Sequence, residues 1–221
     1  MDSLTDLPTL YAFQDEVLHA TSALGTGFYL TGGTAASRGY LGHRVGEGLE
    51  LVVSDDPRFG LWAGQITDAL SRHEHWTGEV IVREPRFVRL GLARGDCRLN
   101  VELSSDAFAH VGEVTVHPSL GRLDSAENIL ADVITALTDR VEPEKLADLW
   151  GFCCAKRLPV ARVLEATRAK AAGIFPVDLA RIVSGATRAD WALVRWTAAP
   201  PADVFVEDLR RLAEELLLIK G

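Results

Sequence analysis

Lysine is absent from the first 144 residues of this 221-residue chain; Lys145, Lys156, Lys170 and Lys220 are all there is. An anion bound by that stretch must therefore meet arginine, backbone amides or a metal ion. Cysteine is almost as scarce. Cys97 and the adjacent Cys153 and Cys154 make no disulfide framework, so a reducing, cytoplasmic setting is expected. Long apolar runs are lacking too. The longest, Leu216–Ile219, falls far short of the roughly 20 residues that cross a bilayer, and no membrane association is expected. Residues 1–6 carry two acids and no base, which does not resemble a secretory leader. Basic charge is short overall: 23 Lys and Arg against 31 Asp and Glu leave a net −8, which argues against broad, non-specific nucleic-acid binding.

What is present suits a globular protein, with 48% apolar and 24% charged residues. Leu10, Phe13, Val17 and Leu18 recur at helical spacing after Pro8 and stop before Gly25. Phe28–Thr31 reads as a strand running into Gly32-Gly33, and Thr34–His43 as a helix with Thr34 at its N-cap. A strand over Leu49–Ser54 and a helix from Pro57 to about Arg72 follow. Val80–Val82, Phe87–Leu92, Leu99–Leu103 and Val114–Val116 are the further strand candidates, with a turn at Arg94-Gly95-Asp96. From Ser125 the pattern is helical: Ile129–Leu137, Leu146–Cys153, Val160–Ala171, Pro176–Ile182, Ala189–Trp196 and Ala202–Leu218. The expectation is an α+β core over residues 1–120 and a helical domain over 121–221, with a hinge near 118–125.

The most pointed local feature is Leu30-Thr31-Gly32-Gly33-Thr34. Two glycines between a strand and a helix let a phosphate reach backbone amides at a helix N-terminus. No Gly-Lys-Ser/Thr follows, so it is not a Walker loop, and it lacks the dinucleotide fingerprint. By itself such a turn is also an ordinary tight connection. Its surroundings are more specific: Phe28–Ala36, Tyr40-Leu41-Gly42-His43-Arg44, Gly48-Leu49-Glu50-Leu51 and Asp55-Asp56-Pro57-Arg58-Phe59, then Asp124–Leu130, Arg140, Glu142-Pro143 and Leu146-Ala147-Asp148-Leu149-Trp150. This series resembles the AbiEii/AbiGii toxin family of nucleotidyltransferase-fold proteins over about residues 28–155.

The resemblance implies a nucleotidyltransferase-like mixed sheet with flanking helices, followed by a helical C-terminal domain. It implies an NTP held on Gly32, Gly33 and Thr34, with Arg44 beside the nucleotide, and a cleft between the two halves lined by that turn, Glu50 and Glu102. Mg²⁺ would sit on carboxylates of two strands, since residues i and i+2 of a strand share a face. Glu50 and Glu102 are then the catalytic and metal-binding candidates. The chain departs from the family at telling places: Gly48 stands where a first aspartate is expected, Glu50 where a second is, and Val133 where a lysine is. Glu47, Asp55 and Asp56 are the carboxylates that would have to compensate.

The function implied is that of a toxin of an AbiE-type toxin–antitoxin pair, transferring a nucleotide to an RNA acceptor such as tRNA, with a cognate antitoxin or regulator as partner. The alternative is a catalytically dead member that binds a nucleotide or a protein. A small-substrate transferase of the same fold also stays open. Arg83, Arg86, Arg89, Arg94 and Arg98, offset by Glu84 and Asp96, net +3 and read either as solvated strand edges or as a phosphate-binding patch.

Overall fold

The computed structural model describes residues 6–106, 110–167 and 174–219. Two compact units divide the chain. Met1–Thr34, Gly46–Phe108 and Val114–Asp124 form one; Ala35–Val45, Ala109–Glu113 and Ser125–Gly221 form the other. The chain passes between them more than once. Residues 35–45, on the N-terminal side of the expected boundary at 120, group with the helices.

The first unit is a seven-stranded mixed sheet with helices against it. Its strands are β1 (Tyr29–Thr31), β2 (Leu49–Ser54), β3 (Thr77–Glu84), β4 (Phe87–Arg94), β5 (Cys97–Asp106), β6 (Thr115–His117) and β7 (Gly121–Leu123), in the spatial order β3-β4-β5-β2-β1-β7-β6. β2 pairs parallel with β5 and antiparallel with β1; β4 joins β3 and β5 in antiparallel hairpins. Alternation drives the burial. Leu49, Leu51 and Val53, Val88, Leu90 and Leu92, and Leu99, Val101 and Leu103 are all buried, while the intervening residues of β4 are half-exposed. Helix α1 (Leu7–Ser22) and helix α3 (Phe59–Ser71) pack with these strands and with each other. Phe13, Val17, Ile66 and Leu70, wholly buried, supply much of that layer.

The one strand expected near residue 115 is two. β6 turns back into β7, and β7 runs parallel to β1, with Leu30 opposite Leu123. The helix expected over Thr34–His43 starts two residues earlier, as the turn α2 (Gly32–Thr34), and continues as a π-helical stretch over Ala35–Leu41. Thr34 thus lies inside the helix, not at its cap. Asp56 accepts a hydrogen bond from the Arg58 amide at 2.8 Å, so α3 begins at Phe59, after Pro57 rather than at it.

The second unit is helical: α4 (Ala126–Asp139), α5 (Pro143–Trp150), a π-helical turn over Gly151–Ala155, α6 (Val160–Thr167), α7 (Pro176–Ser184), α8 (Arg188–Leu193) and α9 (Ala202–Leu217). Ser125 caps α4 by accepting the Asn128 amide at 3.0 Å. The rest of the helix expected over Val160–Ala171 lies outside the described residues. Among the described residues no helix is long and apolar enough to cross a membrane.

Within this unit Asp148, fully buried, accepts a forked pair of bonds from Arg44, Nε at 2.7 Å and Nη2 at 2.6 Å. His43 Nε2 lies 3.1 Å from the same carboxylate. Burial works against the charge on Asp148, but His43 and the Arg44 guanidinium outweigh it and hold its carboxyl below the ordinary value of 3.8. A depressed folded-state value contributes stability that is complete above about pH 4 and is lost as pH falls through that lower value. Asp148→Asn should flatten this part of the acid-side decline. It should also destabilise the protein at neutral pH by about 3–5 kcal/mol, because a buried guanidinium loses its partner. Thermal melts of both proteins from pH 3 to pH 7 check this; superimposable melts at pH 7 would show the pair to be dispensable.

Candidate functional site

Strand register assembles one polar row. Thr31 of β1 lies opposite Glu50 of β2, Glu50 opposite Glu102 of β5, and Glu102 opposite Arg89 of β4. Cross-strand partners share a face, so these four side chains stand on the face opposite the buried leucines. Thr31 Oγ1 donates to Asp124 Oδ2 at 2.6 Å, and Arg89 Nε donates to Glu102 Oε1 at 2.9 Å. Glu50 and Glu102, expected as a pair from positions 52 residues apart, are brought onto adjacent parallel strands.

The glycine turn abuts that row. Gly32 takes φ 68°, and a Cβ there would fall 2.2 Å from Glu50 Oε1, so both conformation and space call for glycine. The Gly33 amide donates to the same oxygen at 3.3 Å. Thr34 is buried, and its hydroxyl donates to the Gly48 carbonyl. The expected phosphate-facing donors are therefore engaged within the protein: Gly33 N–H by Glu50, Thr34 Oγ1 by the loop before β2. An anion on this turn must displace the Glu50 carboxylate.

That loop is held tightly. Gln14 of α1, itself buried, donates to the Gly46 carbonyl at 2.7 Å, and a Cβ on Gly46 would sit 2.6 Å from Thr34 Cα. Gly48 falls just before β2, which begins at Leu49. Sequence reasoning missed Gln14 and Gly46, whose roles depend on contacts across the unit. At Gly48 an added Cβ would meet only the Asn100 backbone oxygen at 3.3 Å and Asn100 Cβ at 4.0 Å, so a small side chain fits with a slight shift.

Arg44 and Val133 belong to the helical unit. Arg44 is buried, with its guanidinium on Asp148 and the Val45 carbonyl. Val133, where the family has lysine, is buried among the apolar residues of α4. Most of the arginine patch is paired: Arg86 with Asp55, Arg89 with Glu102, Arg94 with Glu16, while Arg98 donates to backbone carbonyls. Glu47, Asp55 and Asp56 do not line up with the polar row by register, and Asp56 is held by Arg58, which with the Arg58 amide lowers its carboxyl to about 2.

Among the described residues no group of three or more His, Cys, Asp or Glu is assembled to hold a metal ion. Magnesium is usually held by one or two carboxylates, with waters and substrate phosphates completing its octahedron. Glu50 and Glu102 fit that pattern as a pair of oxygen donors on one sheet face; they do not make a cage on their own.

No protein-family model matches the chain, and no curated protein matches it in sequence. Solved structures match it in fold. JHP933 of Helicobacter pylori aligns with a TM-score of 0.63 over 97% of this chain and 93% of its own, at 18% identity. MenT4, a nucleotidyltransferase toxin of Mycobacterium tuberculosis, aligns with a TM-score of 0.62 over 96% of this chain and 84% of its own, at 16% identity. Likeness at such identities is a likeness of fold. The chain has a nucleotidyltransferase fold.

Proposed function

We propose that this protein is a toxin-type nucleotidyltransferase of the AbiEii/AbiGii kind, which holds an NTP at the Gly32-Gly33-Thr34 turn and transfers its nucleotide to a hydroxyl of an RNA acceptor such as tRNA. The observation that carries this reading is the alignment of Glu50 with Glu102 beside a glycine turn in a nucleotidyltransferase fold. In the transfer, the acceptor hydroxyl gives up its proton to solvent, its oxygen forms a bond to the α-phosphorus, and the bond to the bridging oxygen breaks as pyrophosphate leaves. Glu50 and Glu102 would hold the divalent ion, which would supply charge neutralisation when bound. The chain's own part is to offer the Gly33 amide to a phosphate oxygen and to present Glu50 and Glu102 to the ion. A cognate antitoxin or regulator and a cytoplasmic setting belong to the same reading, as does the expected split into residues 1–120 and 121–221.

A second reading, a pseudo-nucleotidyltransferase that binds nucleotide or protein without turnover, is favoured by Gly48, which offers no carboxylate. Incubation with each labelled NTP, Mg²⁺ or Mn²⁺ and total RNA separates the two. On the first reading label transfer is metal-dependent and above background, and Glu50→Gln lowers it at least about 100-fold, the several kcal/mol expected of a metal-dependent charge; transfer at background in wild type selects the second reading. Robust transfer that survives Glu50→Gln would place the chemistry elsewhere.

Gly48→Asp tests the departure directly. Space beside Asn100 admits the new side chain, so the variant should fold and bind Mn²⁺ about tenfold more tightly in the presence of NTP, having regained one charged ligand. Calorimetric titration checks this. Unchanged Mn²⁺ affinity in a folded Gly48→Asp would mean that position 48 does not face the ion.

A further inference from the structure

Arg89 faces the carboxylate pair from β4. The antiparallel register sets it directly opposite Glu102, its Nε donates to Glu102 Oε1 at 2.9 Å, and its guanidinium lies 5.4 Å from the Phe87 ring centre. Both partners remain accessible, Arg89 at 41% and Glu102 at 33% of their side-chain surface. In the row Thr31, Glu50, Glu102, Arg89 the two acids stand on adjacent strands, and the arginine is the cation. Among the neighbouring positions Gly48 has no side chain and Asn100, on the same face of β5, is neutral, while Asp124, which accepts the Thr31 hydroxyl at 2.6 Å, adds a further acid at the far end of the row from Arg89.

We propose that Arg89 is the site's resident countercharge and its polyphosphate-capturing group: it neutralises Glu102 while the site is empty, and moves its guanidinium onto the phosphates when a nucleoside triphosphate arrives, freeing Glu102 for the ion. This rests on the nucleotide-binding reading above. An exposed ion pair is weak and therefore exchangeable. A guanidinium fork matches phosphate oxygens as well as it matches a carboxylate, and a triphosphate carries more charge than one glutamate. The pairing also accounts for how two acids, unaccompanied by lysine, are kept together on one sheet face: like charges on paired strands repel, and Arg89 relieves that repulsion.

The role has two consequences of opposite sign. While paired with Glu102, Arg89 opposes a divalent cation; facing polyphosphate, it attracts. Wild type, Arg89→Gln, Arg89→Lys and Glu102→Gln are each titrated calorimetrically with Mn²⁺ alone and with inorganic tripolyphosphate alone. Arg89→Gln should bind Mn²⁺ on the order of tenfold more tightly, since a unit charge beside a dication is removed. It should bind tripolyphosphate at least about fivefold more weakly, through loss of a charge-assisted fork. Arg89→Lys should recover part of the tripolyphosphate affinity, and Glu102→Gln should lose Mn²⁺ binding. Circular dichroism verifies that each variant is folded; position 89 lies on the accessible face, so folding should be unaffected. If wild type binds tripolyphosphate and Arg89→Gln matches it, or if both affinities of Arg89→Gln move in the same direction, the assignment to Arg89 is overturned while the site reading stands. If no variant and not wild type binds either probe, the site reading fails and this inference falls with it.

Discussion

The parallel pairing of β2 with β5 decides where the candidate site lies. Leu49, Leu51 and Val53 go to one face together with Val101 and Leu103, and the same register leaves Glu50 and Glu102 side by side on the other. A slip of one residue in either strand would turn its carboxylate into the helix-covered layer and a leucine or valine out of it. At roughly 1.5–3 kcal/mol for each large aliphatic side chain taken from water, the apolar face holds the register against such a slip. The core therefore does more than stabilise the sheet. It is what brings two glutamates from distant positions to the same place.

Beside that pair, the turn and its loop lock together by contact. Gly32 can press its backbone against Glu50 only because it lacks Cβ and takes a left-handed φ. Gly46 lies against Thr34 for the same steric reason, while Gln14 and Thr34 each hold a carbonyl of the 46–48 loop. The result is a turn whose amide is satisfied by a carboxylate rather than left free for a phosphate. Such an arrangement is preorganised, because its backbone is already in place, and self-blocked, because the acid must rotate before an anion can replace it.

How much of this was legible in the chain follows from the range of each interaction. β2 was readable because six residues alternate or run apolar between polar ends, and the Arg94-Gly95-Asp96 turn was readable from its glycine. Gly95 takes φ 59° in a two-residue connection, and that connection sets the β4–β5 register, from which the pairing of Arg89 with Glu102 follows by counting along both strands. Arg86, Arg89 and Arg94 thus resolve pair by pair rather than acting as one patch. β7 was not readable, for three residues carry no period, and its place beside β1 is set by packing. Nor was the fate of Thr34, because whether a hydroxyl faces solvent or a carbonyl fourteen residues away depends on the path of the intervening loop. The π-helical stretch after it has no sequence signature that helical spacing would reveal.

Charge distribution connects these local facts to binding. The chain is acidic, and in the sheet unit arginine is the cationic side chain besides histidine, mostly committed to a carboxylate partner: Arg86 to Asp55, Arg89 to Glu102, Arg94 to Glu16. A polyanion meeting such a surface finds many of the arginines already engaged, and in an acidic chain long-range attraction is weak. What it can find are exposed ion pairs, each of small net strength, whose arginine can exchange one anionic partner for another. Selectivity then favours ligands that offer several closely spaced negative charges at one point over those that spread them along a backbone, because only the former compensates the loss of the glutamate. A triphosphate answers that description better than a nucleic-acid strand does. On the proposed function, capture of a nucleotide by local exchange, with the acceptor held by something other than a broad basic surface, is the arrangement that this distribution of charge favours.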